Sequence, residues 1–311
     1  MTLDELETFV SIATGGGFTG ASRRLHRSQP AISRRIQQLE QALDAELFER
    51  VGRSVRMSPA GRALLPFAEA ALAAAREGER AVRGAAGAKS APVALRLAMV
   101  GTLADSHVVT ALRAFRRRFG DASLELRTAT SREVSALVRR GEADLGLRYF
   151  ADPDRALESL ALGSERLHVV VPADHPMRAR RVKGLAVFAG ERWLAFPPDP
   201  RHPESSGLAL DGLLRAAGVL RPVIQPVDSL TAQKRLVEAG LGIALLPASS
   251  FRDELRRGTL RTIAVAGLRA EQPVVAVRRR GAASGRAASE FLALLRKHTP
   301  DLRRAPAAAA P

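Results

Sequence analysis

Apolar residues in the first eighty positions recur at helical spacing. Leu3, Leu6, Phe9, Val10 and Ala13 share one face, because a helix brings positions three and four apart to the same side. The stretch opens on Thr2-x-x-Glu5, in which hydroxyl and carboxylate each satisfy a free backbone N–H. Gly15-Gly16-Gly17 ends it. A short helix over about residues 19–25 follows, with Phe18, Ala21 and Leu25 inward, then a tight connection at His26 and Arg27. A third helix opens at Ser28, a good N-cap, with Pro30 in the first turn, where its missing N–H costs nothing. It continues to about residue 43 and buries Ile32, Ile36 and Leu39.

Leu47-Phe48 reads as a buried anchor, and residues 50–57 as a small two-stranded wing turning at Gly52. Ser58-Pro59 is a clean start for a long helix that runs to about residue 84. Leu65, Ala68, Leu72, Ala75 and Val82 follow a 3-4 rhythm with Glu79 as the polar interruption, which predicts an Ala-rich pairing helix. Residues 84–92 (GAAGAKSAP) form a hinge by composition.

From residue 93 the period changes. Strand-like runs at 93–100, 124–128 and 144–148 alternate with helices over about 106–119 and 131–141. That order predicts a parallel sheet with helices on both faces. The pattern resumes with strands at 167–171, 193–196, 223–226 and 243–246 and helices over about 207–217 and 230–240. A strand at 273–277 and a helix over 287–298 complete it, and the Ala/Pro-rich tail 301–311 is expected to be disordered. The fold class expected is α/β preceded by an all-α N-terminal unit.

The chain has 311 residues, 46% hydrophobic and 26% charged, a balance that suits globular domains. It has no cysteine, which removes disulfides, thiol catalysis and cysteine metal sites. No apolar run approaches the ~20 residues of a membrane span, and the acidic opening MTLDELETFV does not resemble an export signal; a cytoplasmic protein is expected. The net charge is +16, yet its placement weakens it as a pointer to nucleic acid. Residues 1–88 carry 12 Lys and Arg against 10 Asp and Glu, whereas residues 89–311 carry 36 against 22.

Residues 18–39 hold five arginines (Arg23, Arg24, Arg27, Arg34, Arg35) and no acid. A helix, a short turn and an N-capped second helix have the layout of a helix-turn-helix. The outer face of the third helix shows Gln29, Ser33, Arg34 and Gln37; Gln pairs bidentately with adenine, Arg with guanine or phosphate. The first-turn N–H groups add a site for phosphate. The bland alternative is a solvated face with surface arginines.

The run FTGASRRLHRSQPAISRRIQQLEQALDAELFERVGRSVRMSPAG resembles the N-terminal signature of LysR-type transcriptional regulators, and the α/β plan behind it resembles their effector domain. The resemblance implies a winged helix-turn-helix over 1–58, a dimerising linker helix and hinge over 59–91, and a two-lobed effector domain like periplasmic binding proteins over 92–300. Lobe I would span about 92–163 and 269–300, lobe II about 164–268. By position, Ser28, Gln29, Pro30, Ser33 and Arg34 would lie at the DNA, and Arg50 and Arg53 would flank the wing; Arg23, Arg27 and Gln37 complete the candidate set. Gly20 stands where the family often has a larger or charged residue, which predicts a looser second helix.

In doubly wound sheets ligands sit beyond the carboxyl ends of strands, near helix N-termini. Gly101 and Thr102, Thr130 and Ser131, and Asp228, Ser229 and Leu230 occupy such places, and Phe196 and Gly242 join them as effector-binding candidates. Hydroxyls of Thr102, Ser131 and Ser229 beside N-terminal amides suit a carboxylate; they serve equally as plain N-caps. Arg132 and Arg201 are further charge partners for an anion. The six histidines show no metal-ligand spacing, Gly240-x-Gly242 follows a helix rather than a strand, and no nucleophile elbow is present. The chain therefore reads as a regulator without cofactor or catalytic site. Its expected partners are double-stranded DNA with an interrupted inverted repeat, a small-molecule effector, further copies of itself as dimer or tetramer, and RNA polymerase; no membrane is involved. The competing readings are a solute-binding protein and an architectural DNA binder indifferent to small molecules.

Overall fold

Thr2 opens the first helix, α1 (Leu3–Thr14), with both halves of the expected box: its hydroxyl accepts from Glu5 N, and its own N–H donates to the Glu5 carboxylate at 2.6 Å. The computed structural model describes residues 1–51, 54–85, 94–105, 107–120, 122–198, 207–281 and 285–298. Two further helices, α2 (Gly17–Leu25) and α3 (Gln29–Leu43), close a head whose core joins Leu6, Phe9, Ile32, Ile36 and Leu39. His26, at φ 51°, turns the chain between α2 and α3. The second helix starts two residues earlier than the pattern predicts, and it is not loosened by Gly20. A Cβ at Gly20 would stand 1.7 Å from the Gly15 carbonyl oxygen, so the absence of a side chain is what seats α2 against the end of α1.

The wing is an antiparallel pair, β1 (Phe48–Val51) and β2 (Ser54–Met57). Its base is fixed from two sides. Phe48 packs between Phe9 and Phe18 at ring distances of 5.5 and 5.9 Å, and Glu40 of α3 accepts the Leu47 N–H at 2.7 Å. Gly52 and Arg53 lie outside the described residues, as do the core of the expected hinge, Ser106, Arg201 and the tail. The buried Ser58 hydroxyl accepts from Gly61 N at 2.9 Å and so caps α4 (Pro59–Ala85).

In the downstream region β3 (Ala94–Val100), β4 (Ser123–Ala129) and β5 (Leu145–Tyr149) run parallel in the order β4-β3-β5. They alternate with α5 (His107–Arg118) and α6 (Ser131–Arg139). The long β6 (Leu157–Pro172) then crosses to a second sheet. Beyond β7 (Arg181–Val182), a parallel trio forms from β8 (Arg192–Ala195), β9 (Val223–Pro226) and β10 (Ile243–Pro247), with α7 (Gly207–Ala216) and α8 (Leu230–Glu238) between them. The chain continues through α9 (Arg252–Arg257) and β11 (Leu260–Val265), returns to the first sheet as β12 (Glu271–Arg279), and ends in α10 (Arg286–His298).

The sheets are mixed rather than parallel. β12 lies antiparallel to both β5 and the first half of β6, and β10 and β11 lie antiparallel to its second half. Each trio is parallel because a helix returns the chain to the same edge, whereas strands that carry the chain between sheets must pass in opposite directions. The crossings meet where Leu167 N donates to Ala270 O at 2.9 Å. Separate cores result, one around Leu97, Phe115 and Phe291, another around Phe188, Trp193 and Leu214. Among the described residues no helix is long and apolar enough to cross a membrane.

Candidate nucleic-acid interface and ligand cleft

On α3 the buried stripe of Ile32, Ile36 and Leu39 turns Gln29, Pro30, Arg34 and Gln37 outward, with Ser33 half-exposed beside them. Ser28 has the extended backbone of an N-cap (φ −67°, ψ 149°), yet its side chain makes no capping bond. Both its hydroxyl and the first-turn amide of the helix therefore remain available to an acceptor, the arrangement that favours a phosphate.

The five arginines divide into two groups. Arg35 reaches Asp4 of α1 at 2.8 Å and Arg27 reaches the same carboxylate at 3.4 Å; Arg24 donates to the Thr14 hydroxyl at 3.2 Å. The acid that residues 18–39 lack is thus supplied from another helix. Arg23 and Arg34 are exposed, with no ion pair among the described residues. The Arg27 pair is exposed, and such pairs are worth little, so Arg27 can exchange Asp4 for a phosphate. Arg50 stands in β1, paired in register with Val55.

The linker helix departs from the expected pairing stripe. Ala68 and Leu72 are buried against the chain's own head, and Ala73 packs on Gly141, where a Cβ would stand 3.1 Å from that of Ala73. The outward apolar row is Ala63, Phe67, Ala70 and Ala74, with Phe67 73% exposed. The 3-4 rhythm of Leu65, Ala68, Leu72, Ala75 and Val82 predicts a pairing face, but Ala68 and Leu72 of that row pack into the head; the helix has a second apolar face, and spacing does not say which one the head covers.

The carboxyl ends of β3 and β4 carry Gly101, Thr102, Thr130 and Ser131; those of β8 and β9 lead to Phe196 and to Asp228, Ser229 and Leu230. A 3-10 turn at Gly101–Asp105 touches another at Ala248–Phe251, past β10, which sets the two carboxyl edges facing each other. Gly242 is not among these residues. It precedes β10 at the amino edge, and a Cβ there would lie 2.6 Å from the Arg192 carbonyl oxygen, so its role is the close packing of β10 on β8. Phe196, half-buried, accepts the Gly207 N–H through its carbonyl at 2.9 Å.

Between the edges lies a chain of polar groups that sequence reasoning caught at one end only. Thr102 donates to the Tyr149 hydroxyl at 3.0 Å, Tyr149 donates to Glu165 at 2.9 Å, and Ser249 donates to the other Glu165 oxygen at 2.6 Å. Burial, with Glu165 beside it, raises the Tyr149 hydroxyl well above its ordinary pKa, so it stays protonated as a donor. Glu165 itself interrupts the run SERLHVVV; a charged residue heading an apolar strand was the available signal.

The two helix starts differ. At α6, Thr130 forms a full capping box, and its N–H and hydroxyl both hold Glu133 at 2.9 Å. These bonds, the backbone N–H first, lower the Glu133 pKa, so that end already holds a carboxylate. At α8, Ser229 accepts from Ala232 N at 3.4 Å and the first turn contains no acid, which leaves its positive end open to an anion, with the exposed Asp228 just outside. Ser131 is half-buried and Arg132 exposed beside Glu133. Among the described residues no group of three or more His, Asp or Glu side chains is placed to hold a metal ion.

Residues 3–62 match the family described as bacterial regulatory helix-turn-helix protein, lysR family, and residues 92–300 match the LysR substrate binding domain. The HTH-type transcriptional regulator TfdS of Cupriavidus pinatubonensis is 33% identical over 275 residues, covering 88% of this chain and 91% of that protein. BenM of Acinetobacter baylyi is 28% identical over 252 residues, covering 80% and 81%. The structure of CbnR, a LysR family transcriptional regulator, aligns with a TM-score of 0.62 at 26% identity, covering 97% of this chain and 100% of that one. Full-length CbnR complexed with its target DNA aligns with a TM-score of 0.60 at 26% identity, over 96% and 100%.

Proposed function

The chain belongs to the LysR family of transcriptional regulators, and from that premise we propose how its residues divide the work. The head, residues 1–58, places α3 in the major groove, with Gln29, Ser33, Arg34 and Gln37 at base edges. Ser28, Pro30 and the first-turn amide sit at a phosphate; Arg23 and Arg27 reach the backbone, and Arg50 and Arg53 serve the wing. Two heads joined through α4 read an interrupted inverted repeat, since the protein's two-fold axis imposes the same symmetry on its operator. The observation that carries this reading is the face of α3 with Gln29, Ser33, Arg34 and Gln37, polar, uncapped and without an acidic partner among the described residues. The protein acts on chromosomal DNA in the cytoplasm and meets RNA polymerase there.

Arg34→Ala is expected to weaken operator binding by about 1–3 kcal/mol and to relax preference at one base pair. A mobility-shift titration against base-substituted operators at two salt concentrations checks it, and unchanged affinity removes Arg34 from the reading surface. Selection from a random duplex pool tests the whole assignment. Enrichment of one pseudo-palindrome is expected; affinity that follows salt alone would make the protein an architectural binder.

The effector enters between the facing carboxyl edges of residues 92–300. The open amino end of α8, at Ser229 and Leu230, takes its carboxylate, and Thr102 and Ser131 contact it from the opposite lobe. It shifts the lobes only by its differential affinity for their arrangements, and the spacing of the heads follows. Ser131→Ala combined with Ser229→Ala is expected to blunt the ligand response in a reporter assay with operator affinity unaltered. A normal response in that variant would take both hydroxyls out of the site.

A further inference from the structure

A cavity of about 410 Å³ lies where head, linker helix and first lobe meet. Charged groups line it, and nearly all are already committed. Arg76 pairs with Glu7 at 3.4 Å and donates to the Arg140 carbonyl at 3.1 Å. Arg127 and Arg140 share Glu142, at 2.9 and 2.5 Å, and Arg96 holds Asp144 at 2.5 Å. Arg24 lies over Gly15 and donates to Thr14.

Apart from Arg24, which meets only a hydroxyl, the lining groups left without a partner among the described residues are acceptors. Glu69 is 1% exposed; one oxygen is held by Arg139, and the other, buried, has no partner among the described residues. Ser11, 4% exposed on α1, also has a hydroxyl oxygen with no partner among the described residues. Glu125 on β4, itself exposed to solvent, lines the same space with no ion pair among the described residues. A buried oxygen without a donor loses the hydrogen bonds it made to water and gains none in return, so the Glu69 and Ser11 side of the cavity is incomplete as it stands. Val10, Leu25 and Leu72 supply an apolar wall beside these acceptors.

We propose that this junction is a second ligand site, distinct from the cleft between the lobes, for a small organic cation with N–H donors on an alkyl stem: an alkylammonium or alkylguanidinium compound. Its donors complete Ser11, Glu69 and Glu125, and its stem lies on Val10, Leu25 and Leu72. Because Ser11 belongs to the head, Glu69 to the linker and Glu125 to the lobe, the occupant ties all three together.

Isothermal titration of the full chain with n-butylguanidinium tests this, with butyrate and tetramethylammonium (charge without N–H) as controls. Saturable binding of n-butylguanidinium alone is expected. Ser11→Ala and Glu125→Ala, which touch no ion pair described above, are each expected to weaken it about threefold or more, the worth of one hydrogen bond. Glu69→Gln is expected to weaken it about tenfold, as loss of a charge-assisted bond does; the other two variants decide the matter if it fails to fold. No saturable heat, equal binding of tetramethylammonium, or binding untouched by Ser11→Ala and Glu125→Ala overturns the site.

Discussion

Replacing Phe67 with aspartate is expected to leave a folded chain that sediments as a monomer and loses most of its operator affinity. Phe67 stands 73% exposed at the centre of the outward row on α4, and the head core does not include it. In a two-fold dimer each such side chain occurs twice. Burying one phenyl ring contributes about 2–3 kcal/mol, so removing two and adding opposed charges weakens pairing by at least about 4 kcal/mol, roughly a thousandfold in the dimer constant. Sedimentation velocity reads the assembly, and a mobility shift with whole and half operators reads its consequence. Ala68→Val, on the face already covered by the head, is the contrasting variant: it should cost stability by overpacking and leave assembly alone. A dimer that survives Phe67→Asp would mean the chains meet through another surface. The exposed β4 edge, with Leu124 and Leu126, is the next place to look.

Gly20→Ala is expected to destabilise the head by about 3 kcal/mol or more, at or above the upper range for overpacking. The added carbon would sit 1.7 Å from the Gly15 carbonyl oxygen and 2.8 Å from its carbonyl carbon; both are backbone atoms, and a Cβ has no rotamer of its own, so relief requires α2 to shift off the end of α1. Amide exchange across residues 3–25 should rise and DNA binding should fall, with the α/β region still protected. Gly212→Ala in α7 is the control. Nothing lies within 4 Å of a Cβ there, so the usual helical advantage of alanine, about 0.5–1 kcal/mol, should appear instead. Equal stability of Gly20→Ala and the unaltered chain would show that α2 can move off α1 at no cost.

The head was legible almost to the residue because its signals are local. Thr2 with Glu5 and Ser58 with Pro59 cap their helices within one turn, and Pro30 sets the first turn of α3, where Ser28 takes the extended backbone of an N-cap without a side-chain bond. The lobes were less so. The first ten residues of β6 escaped notice, because Ser159, Gly163, Ser164, Glu165 and Arg166 break its apolar run. A strand passing between sheets changes the face it buries, and its alternation fails at the change. β11 and α9 carry weak patterns rather than short ones: RDELRR holds a single apolar residue, and Arg261 and Thr262 break the apolar run of LRTIAV.

The order of amino acids alone settled where the longer helices lie, which face of α3 is polar, and that parallel trios alternate with helices. Caps, proline and hydrophobic period act between neighbours in the chain. The tertiary structure decided what lies opposite each of those faces: that Asp4 holds Arg27 and Arg35, that the head covers Ala68 and Leu72 and leaves Phe67 bare, and that Glu165 gathers Tyr149 and Ser249 from separate strands and turns. A side chain's period fixes its direction, but its partner is whatever distant segment packing brings within reach.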